Sequence, residues 1–128
     1  MHPLVQQEIV TAEHLERLGR ATHLLQGEAF GSFDALGELA ADVDILITSW
    51  GCPPLDIAAL DQCGKLKLIA HMAGSVKGFI DDAAWRRGIR VVNAAAAGAV
   101  PVAEFTLAAI AQNLRKLAKL KPMEPAAS

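Results

Sequence analysis

The chain is defined first by what it has little of. Nowhere among its 128 residues, 52% of them apolar, is there a run near the ~18 uninterrupted apolar residues that a membrane span needs. The opening MHPLVQQEIV has no basic segment leading into an apolar block, so it does not read as a secretory leader. Neither charge sign dominates. A formal net charge of −2 gives no global pull toward nucleic acid or anionic lipid. Cysteine is scarce too: Cys52 and Cys63 stand eleven positions apart, a spacing that matches neither a CxxC redox pair nor a zinc site. Two free thiols indicate a reducing compartment, and the expectation is a cytoplasmic protein. The sequence also lacks GxGxxG, GxxxxGK[ST], HExxH and GxSxG. That removes the recognisable grips for dinucleotides and nucleotide phosphates, the zincin motif and the hydrolase elbow.

What is present alternates between two kinds of segment. Val43–Thr48, Lys67–Ala70 and Ile89–Asn93 are short and rich in β-branched residues, the pattern of strands buried on both faces. Ala21–Leu25 is a weaker strand candidate. Helical stretches lie between them: Phe33–Ala41 after Ser32 as cap, Leu55–Leu60 after the Pro53-Pro54 corner, and Asp81–Arg87 with Trp85 turned inward and Gly88 as stop. The last helix is the longest. Pro101 suits its first position, and Leu107, Ile110, Leu114 and Leu117 recur at helical spacing as one apolar stripe. Its basic last turn, Arg115 to Lys121, complements the helix dipole. That turn has no interleaved aromatics and does not read as a nucleic-acid surface. Residues 122–128 read as a loose tail, and Ala94–Ala97 as a close-packed corner. Strands alternating with helices specify a three-layer α/β domain with a parallel sheet.

In such sheets ligands sit beyond the carboxyl ends of the strands. Three loops qualify: 49–54, 71–78 and 94–101. In the second, AHMAGSVKGF, backbone N–H groups of Gly74, Ser75 and Val76 can meet a carboxylate or phosphate, or the glycines can simply let the chain turn. His71 lacks a nominated carboxylate partner, and Lys77 and Glu104 read as a loop lysine and a helix-dipole residue.

The ordered set VDILITSWGCPPLD and LKLIAHMAGSVKGFIDDAAWRRGIRVVNAAAAGAVPVAEFTLAAI resembles the first lobe of the NAD-dependent D-isomer-specific 2-hydroxyacid dehydrogenases. The similarity runs from about Val43 to Ile110, with RRGIRVVN and PVAEFTLA its most specific pieces. The resemblance implies a flavodoxin-like three-layer sandwich without the family's first strand, over residues 1–100. A crossing helix follows, 101–121, leading to a Rossmann domain for NAD that this chain does not contain. It implies that Gly74 and Ser75 hold the carboxylate of a 2-oxo or 2-hydroxy acid. With Val76 and, from the neighbouring loop, Trp50, they are the candidate substrate-binding residues. The loop departs from the family pattern, with Lys77 where aspartate is usual and Gly78 where asparagine is usual. The family's catalytic arginine, glutamate and histidine follow the crossing helix and map onto no residue here. No cofactor or metal is therefore expected to bind this chain, and the isolated chain is expected to be inactive. The missing strand leaves unpaired edges, to be filled by Leu4–Val10 or by a second copy. The stripe Leu107, Ile110, Leu114 and Leu117 then predicts a homo-oligomer, with no nucleic-acid or membrane partner. The alternative is a non-catalytic flavodoxin-like module for self-association or interaction.

Overall fold

Three short β-branched runs become strands because each can bury a face and pair with the next. In the computed structural model, which describes residues 1–25 and 28–119, they are β1 (Ile45–Thr48), β2 (Leu68–His71) and β3 (Arg90–Asn93). They form a parallel sheet in the order β1-β2-β3. Ile45 stands opposite Leu68 and Leu68 opposite Arg90, so Thr48, His71 and Asn93 end in one row.

Alternation assigns the two faces. Leu46, Thr48, Ile69 and His71 are buried, and they pack toward a core that includes Leu36, Ala40, Leu55, Ala59, Leu60, Ala83, Ala84 and Ile89. These come from a 3₁₀ segment (Asp34–Asp42), from α3 (Ile57–Gln62) and α4 (Ala83–Arg86), and from the loops between. The other face is open: Ile45 is 44% exposed and Val92 52%. The strands were expected to be buried on both faces; β3 instead contributes no buried residue.

Local chemistry moved several boundaries. Leu4–Val10 is not a replacement strand. Its residues up to Ile9 belong to α1 (Pro3–Ile9), with Val10 as the C-cap; Pro3 fits the first turn and the His2 ring accepts the Leu4 N–H at 3.2 Å. Ala21 closes α2 (Ala12–Ala21), which Thr11 and His14 open with a reciprocal cap, and no strand forms over Ala21–Leu25. The Phe33–Ala41 helix is a 3₁₀ segment broken at Gly37, whose φ of 50° interrupts the helical path, and Ser32 does not cap it. In α3 the cap is Asp56, which accepts the Ala59 N–H at 2.9 Å. Trp85 faces outward, 46% exposed, while Gly88, at φ 74°, ends α4 as expected.

The chain divides into two units, Met1–Ala95 and the segment from Ala96 onward. The second is helix α5 (Ala95–Ala118), 24 residues with Pro101 inside it rather than at its start. The alanine run is a helical first turn, not a corner, because alanine's helix propensity carries the helix through residues 95–97 and the proline is tolerated at the cost of one ladder bond. Glu104 accordingly lies in the interior of the helix and not in its first turn. No residue of α5 is buried. Among the described residues it is the one helix long and apolar enough, by length and composition, to cross a membrane, a property that counting uninterrupted apolar runs does not register. Lys121 and the expected tail at 122–128 lie outside the described residues.

Candidate functional site

The row Thr48, His71, Asn93 places the following loops at one edge of the sheet, as the parallel topology requires. The loop after β2 is fixed on both flanks. The Met72 N–H donates to the Thr48 carbonyl at 2.8 Å, and the Ala94 N–H to the Ala73 carbonyl at 3.0 Å. On its far side the Leu55 N–H donates to the Phe79 carbonyl and the Asp81 N–H to the Leu55 carbonyl, a bridge between Leu55 and Ile80. Val76 and Phe79 pack against the core.

Between these anchors lie Gly74, Ser75 and Val76. Their backbone N–H groups have no acceptor among the described residues. The next one, of Lys77, is taken by the Ser75 hydroxyl at 3.2 Å. Gly74 has no heavy atom within 4 Å of where a Cβ would stand, and its φ is not in the left-handed region; Gly78, at φ 90°, makes the turn. Lys77 is exposed and forms no ion pair among the described residues. The loop thus carries three consecutive backbone donors without an acceptor among the described residues, next in sequence to the exposed Lys77. Trp50 is 60% exposed near the start of the neighbouring loop, and its carbonyl accepts the His2 N–H at 3.0 Å.

Behind the loop is a polar cluster that a search for carboxylate partners misses. His71 Nδ1 and Thr48 Oγ1 share a hydrogen bond of 2.9 Å, both residues buried. The His71 ring also stands 4.9 Å from the Phe79 ring. Burial holds the His71 pKa below its ordinary value, helped by the positive N-terminus, so the ring is neutral near pH 7. Ser49 Oγ is buried with no partner among the described residues. The pairing of Thr48 with His71 follows from strand register, and only their common position at strand ends hints at it. His71 is an internal support of the loop, not an exposed base. The two thiols, Cys52 and Cys63, are unpaired and raised in pKa by burial, so neither is an activated nucleophile.

The family model for the D-isomer specific 2-hydroxyacid dehydrogenase catalytic domain matches residues 4–119. The fold is that of an α/β domain with a parallel sheet, and the chain belongs to this family. No curated protein and no solved structure matches it. Enzymes of this family are generally NAD-dependent. None of the three strand-to-loop turns carries the glycine fingerprint that lets a pyrophosphate approach a helix N-terminus. No group of three or more metal-ligating side chains occurs among the described residues.

Proposed function

We propose that this chain is the substrate-binding part of a D-2-hydroxyacid dehydrogenase. It grips the carboxylate of a 2-oxo or 2-hydroxy acid through the backbone N–H groups of Gly74, Ser75 and Val76, with Trp50 at the rim. The observation that carries the reading is the set of unpartnered amides held at the carboxyl end of β2. The hydride carrier, NAD, and the groups that orient and protonate the substrate come from polypeptide outside these residues, so the chain alone does not turn over. The unpaired thiols of Cys52 and Cys63 support a cytoplasmic setting.

Titration with pyruvate, followed by the amide resonances of Gly74, Ser75 and Val76, tests the grip. Saturable shifts confined to this loop are expected in the millimolar range, the scale of about 4 kcal/mol of binding. A loop unmoved at tens of millimolar pyruvate overturns the reading. In a parallel assay, NADH is not consumed.

The apolar stripe of α5 favours self-association. Leu107, Ile110, Leu114 and Leu117 are each more than half exposed, and uncovered stripes of this kind mark interaction surfaces. The family match extends over the whole helix, which supports a role as a domain surface and not a membrane span. A monomer by light scattering at tens of micromolar speaks against it.

A further inference from the structure

Charge is distributed unevenly between the two ends of the strands. Near the amino ends it comes in pairs. Lys65 meets Asp42 at 2.6 Å and Lys67 meets Asp44 at 2.7 Å, just before β2 and β1, and Arg87, just before β3, meets Asp61. At the carboxyl ends a single charge stands alone. Of residues 49–54 after β1, 72–79 after β2, and Ala94 and Ala95 after β3, only Lys77 has a charged side chain. It forms no ion pair among the described residues. The first carboxylates to follow these loops are already engaged. Asp56 accepts the Ala59 N–H at 2.9 Å, and Asp81 accepts the Ala83 N–H at 2.7 Å and faces Arg86 at 3.7 Å. Asp82 lies further on, at the start of α4.

The place of that lysine within its loop limits what it can do. Val76 packs against the core, while Ser75 and Lys77 on either side of it are exposed. The Ser75 hydroxyl takes the Lys77 N–H at 3.2 Å, so the Lys77 backbone adds nothing to the donors of Gly74, Ser75 and Val76. What the residue adds is its ammonium. The stem starts about 3.8 Å from the Cα of Val76, and it is long and flexible enough to place the charge several bonds away from a group held by the amides.

A carboxylate offers about four lone-pair sites, and three N–H donors use most of them. An ammonium next to those donors is therefore free for a second anionic group on the same ligand. Charge balance selects that group. One lysine neutralises one carboxylate, whereas a phosphate monoester carries about −1.5 to −2 at neutral pH and would find no second cation in these loops. A ligand with one carboxylate leaves the ammonium unused.

We infer that the site is built for a 2-oxo or 2-hydroxy acid with a second carboxylate, the amides of Gly74 to Val76 holding the one beside the reacting carbon and Lys77 the distal one. This rests on the reading of the loop as a carboxylate grip, and it adds a substrate class to that reading: dicarboxylates ahead of monocarboxylates.

Two acids of equal chain length make the test, 2-oxopentanoate with one carboxylate and 2-oxoglutarate with two. Each is titrated into the full chain and followed by the amide resonances of Gly74, Ser75 and Val76. In dilute buffer 2-oxoglutarate should bind roughly fivefold tighter, the scale of one exposed ion pair, and the advantage should shrink at about 1 M salt. Lys77→Met should bring 2-oxoglutarate down to the affinity of 2-oxopentanoate, and Lys77→Arg, which keeps the charge, should keep the preference. Equal affinities in the parent overturn the inference and leave the carboxylate grip standing. So does a preference that survives Lys77→Met, or a Lys77→Met variant that weakens both acids alike, because the lysine then serves the carboxylate they share. If neither acid moves the loop, the grip itself fails and this inference falls with it.

Discussion

Two adjacent buried hydroxyls should respond to deletion with opposite signs. Thr48 Oγ1 sits 2.9 Å from His71 Nδ1, whereas Ser49 Oγ is equally buried and has no partner among the described residues. Thr48→Val keeps the volume and removes the hydroxyl, so the His71 nitrogen loses its partner inside the protein. Leaving a buried polar atom unsatisfied costs about 1–3 kcal/mol. Ser49→Ala takes away an atom that has lost its water and gained no bond, so it should be neutral or stabilise by up to about 1 kcal/mol. The two variants should then differ by roughly 1–4 kcal/mol, or roughly 3–20 °C in melting temperature for a domain of this size. Urea titration with parallel slopes reads the difference directly. The double variant Thr48→Val/His71→Leu should recover part of the loss, since neither polar group then remains to be satisfied. If Ser49→Ala destabilises as much as Thr48→Val, the Ser49 hydroxyl has a bonding partner in solution and the argument from orphaned burial is refuted.

Two further outcomes follow from single contacts. Gly51 has φ 71° and an added Cβ would stand 2.8 Å from the His2 Cβ, while Gly88 has φ 74° and open space around it. Both alanine variants pay the left-handed penalty of about 1 kcal/mol. Only Gly51→Ala should also displace His2 and so weaken its bond to the Trp50 carbonyl and its cap on α1, losing about 1–3 kcal/mol more; equal urea midpoints would contradict this. The depressed His71 pKa sets a pH dependence. Above the unfolded value of about 6.5 both states hold a neutral ring and its stabilising contribution is complete. As pH falls below that value the unfolded chain takes up a proton that the folded chain refuses, and stability is lost toward the lower folded pKa. Urea midpoints from pH 8 to pH 5 should fall more steeply for the parent than for His71→Leu; identical slopes would refute the assignment.

The strands were legible because parallel pairing leaves a plain mark, β-branched runs that stop at glycine-containing or small-residue loops, and each run lies within about two residues of its observed strand. Helix ends were less so. Pro101 looks like a first helical residue, but the alanines before it favour helix strongly enough for α5 to begin at Ala95. Pro3 in the first turn and His2 closing the cap make a helix of the segment that was offered as a replacement strand. Trp85 was placed inward by helical spacing, yet α4 has only four residues, too short for a periodic pattern to fix which side meets the core. The loop glycines could be read directly, whereas the Thr48–His71 bond joins residues 23 positions apart and depends on register. No local pattern encodes it.

The free amides of Gly74 to Val76 persist because everything around them is already committed. The residues before them are tied to the first and third strands through Met72 and Ala73, and those after them to Leu55 through Phe79 and Asp81. Val76 is drawn into the core, and Ser75 spends its own hydroxyl on Lys77. A loop with so few options cannot fold back to pair its donors with its own carbonyls. Ser75 is exposed and Gly74 half-buried, so water satisfies those donors in the meantime at little cost. On the proposed reading, a carboxylate arriving there would replace water without having to order the chain, one of the costs that binding otherwise carries. The buried, neutral His71 behind the loop adds to this. An imidazolium would be driven toward solvent and pull the end of β2 with it, whereas a neutral ring bonded to Thr48 and packed on Phe79 holds the strand end in place. On the proposed reading the polar cluster supports the loop, and weakening the cluster should loosen the loop before it unfolds the sheet.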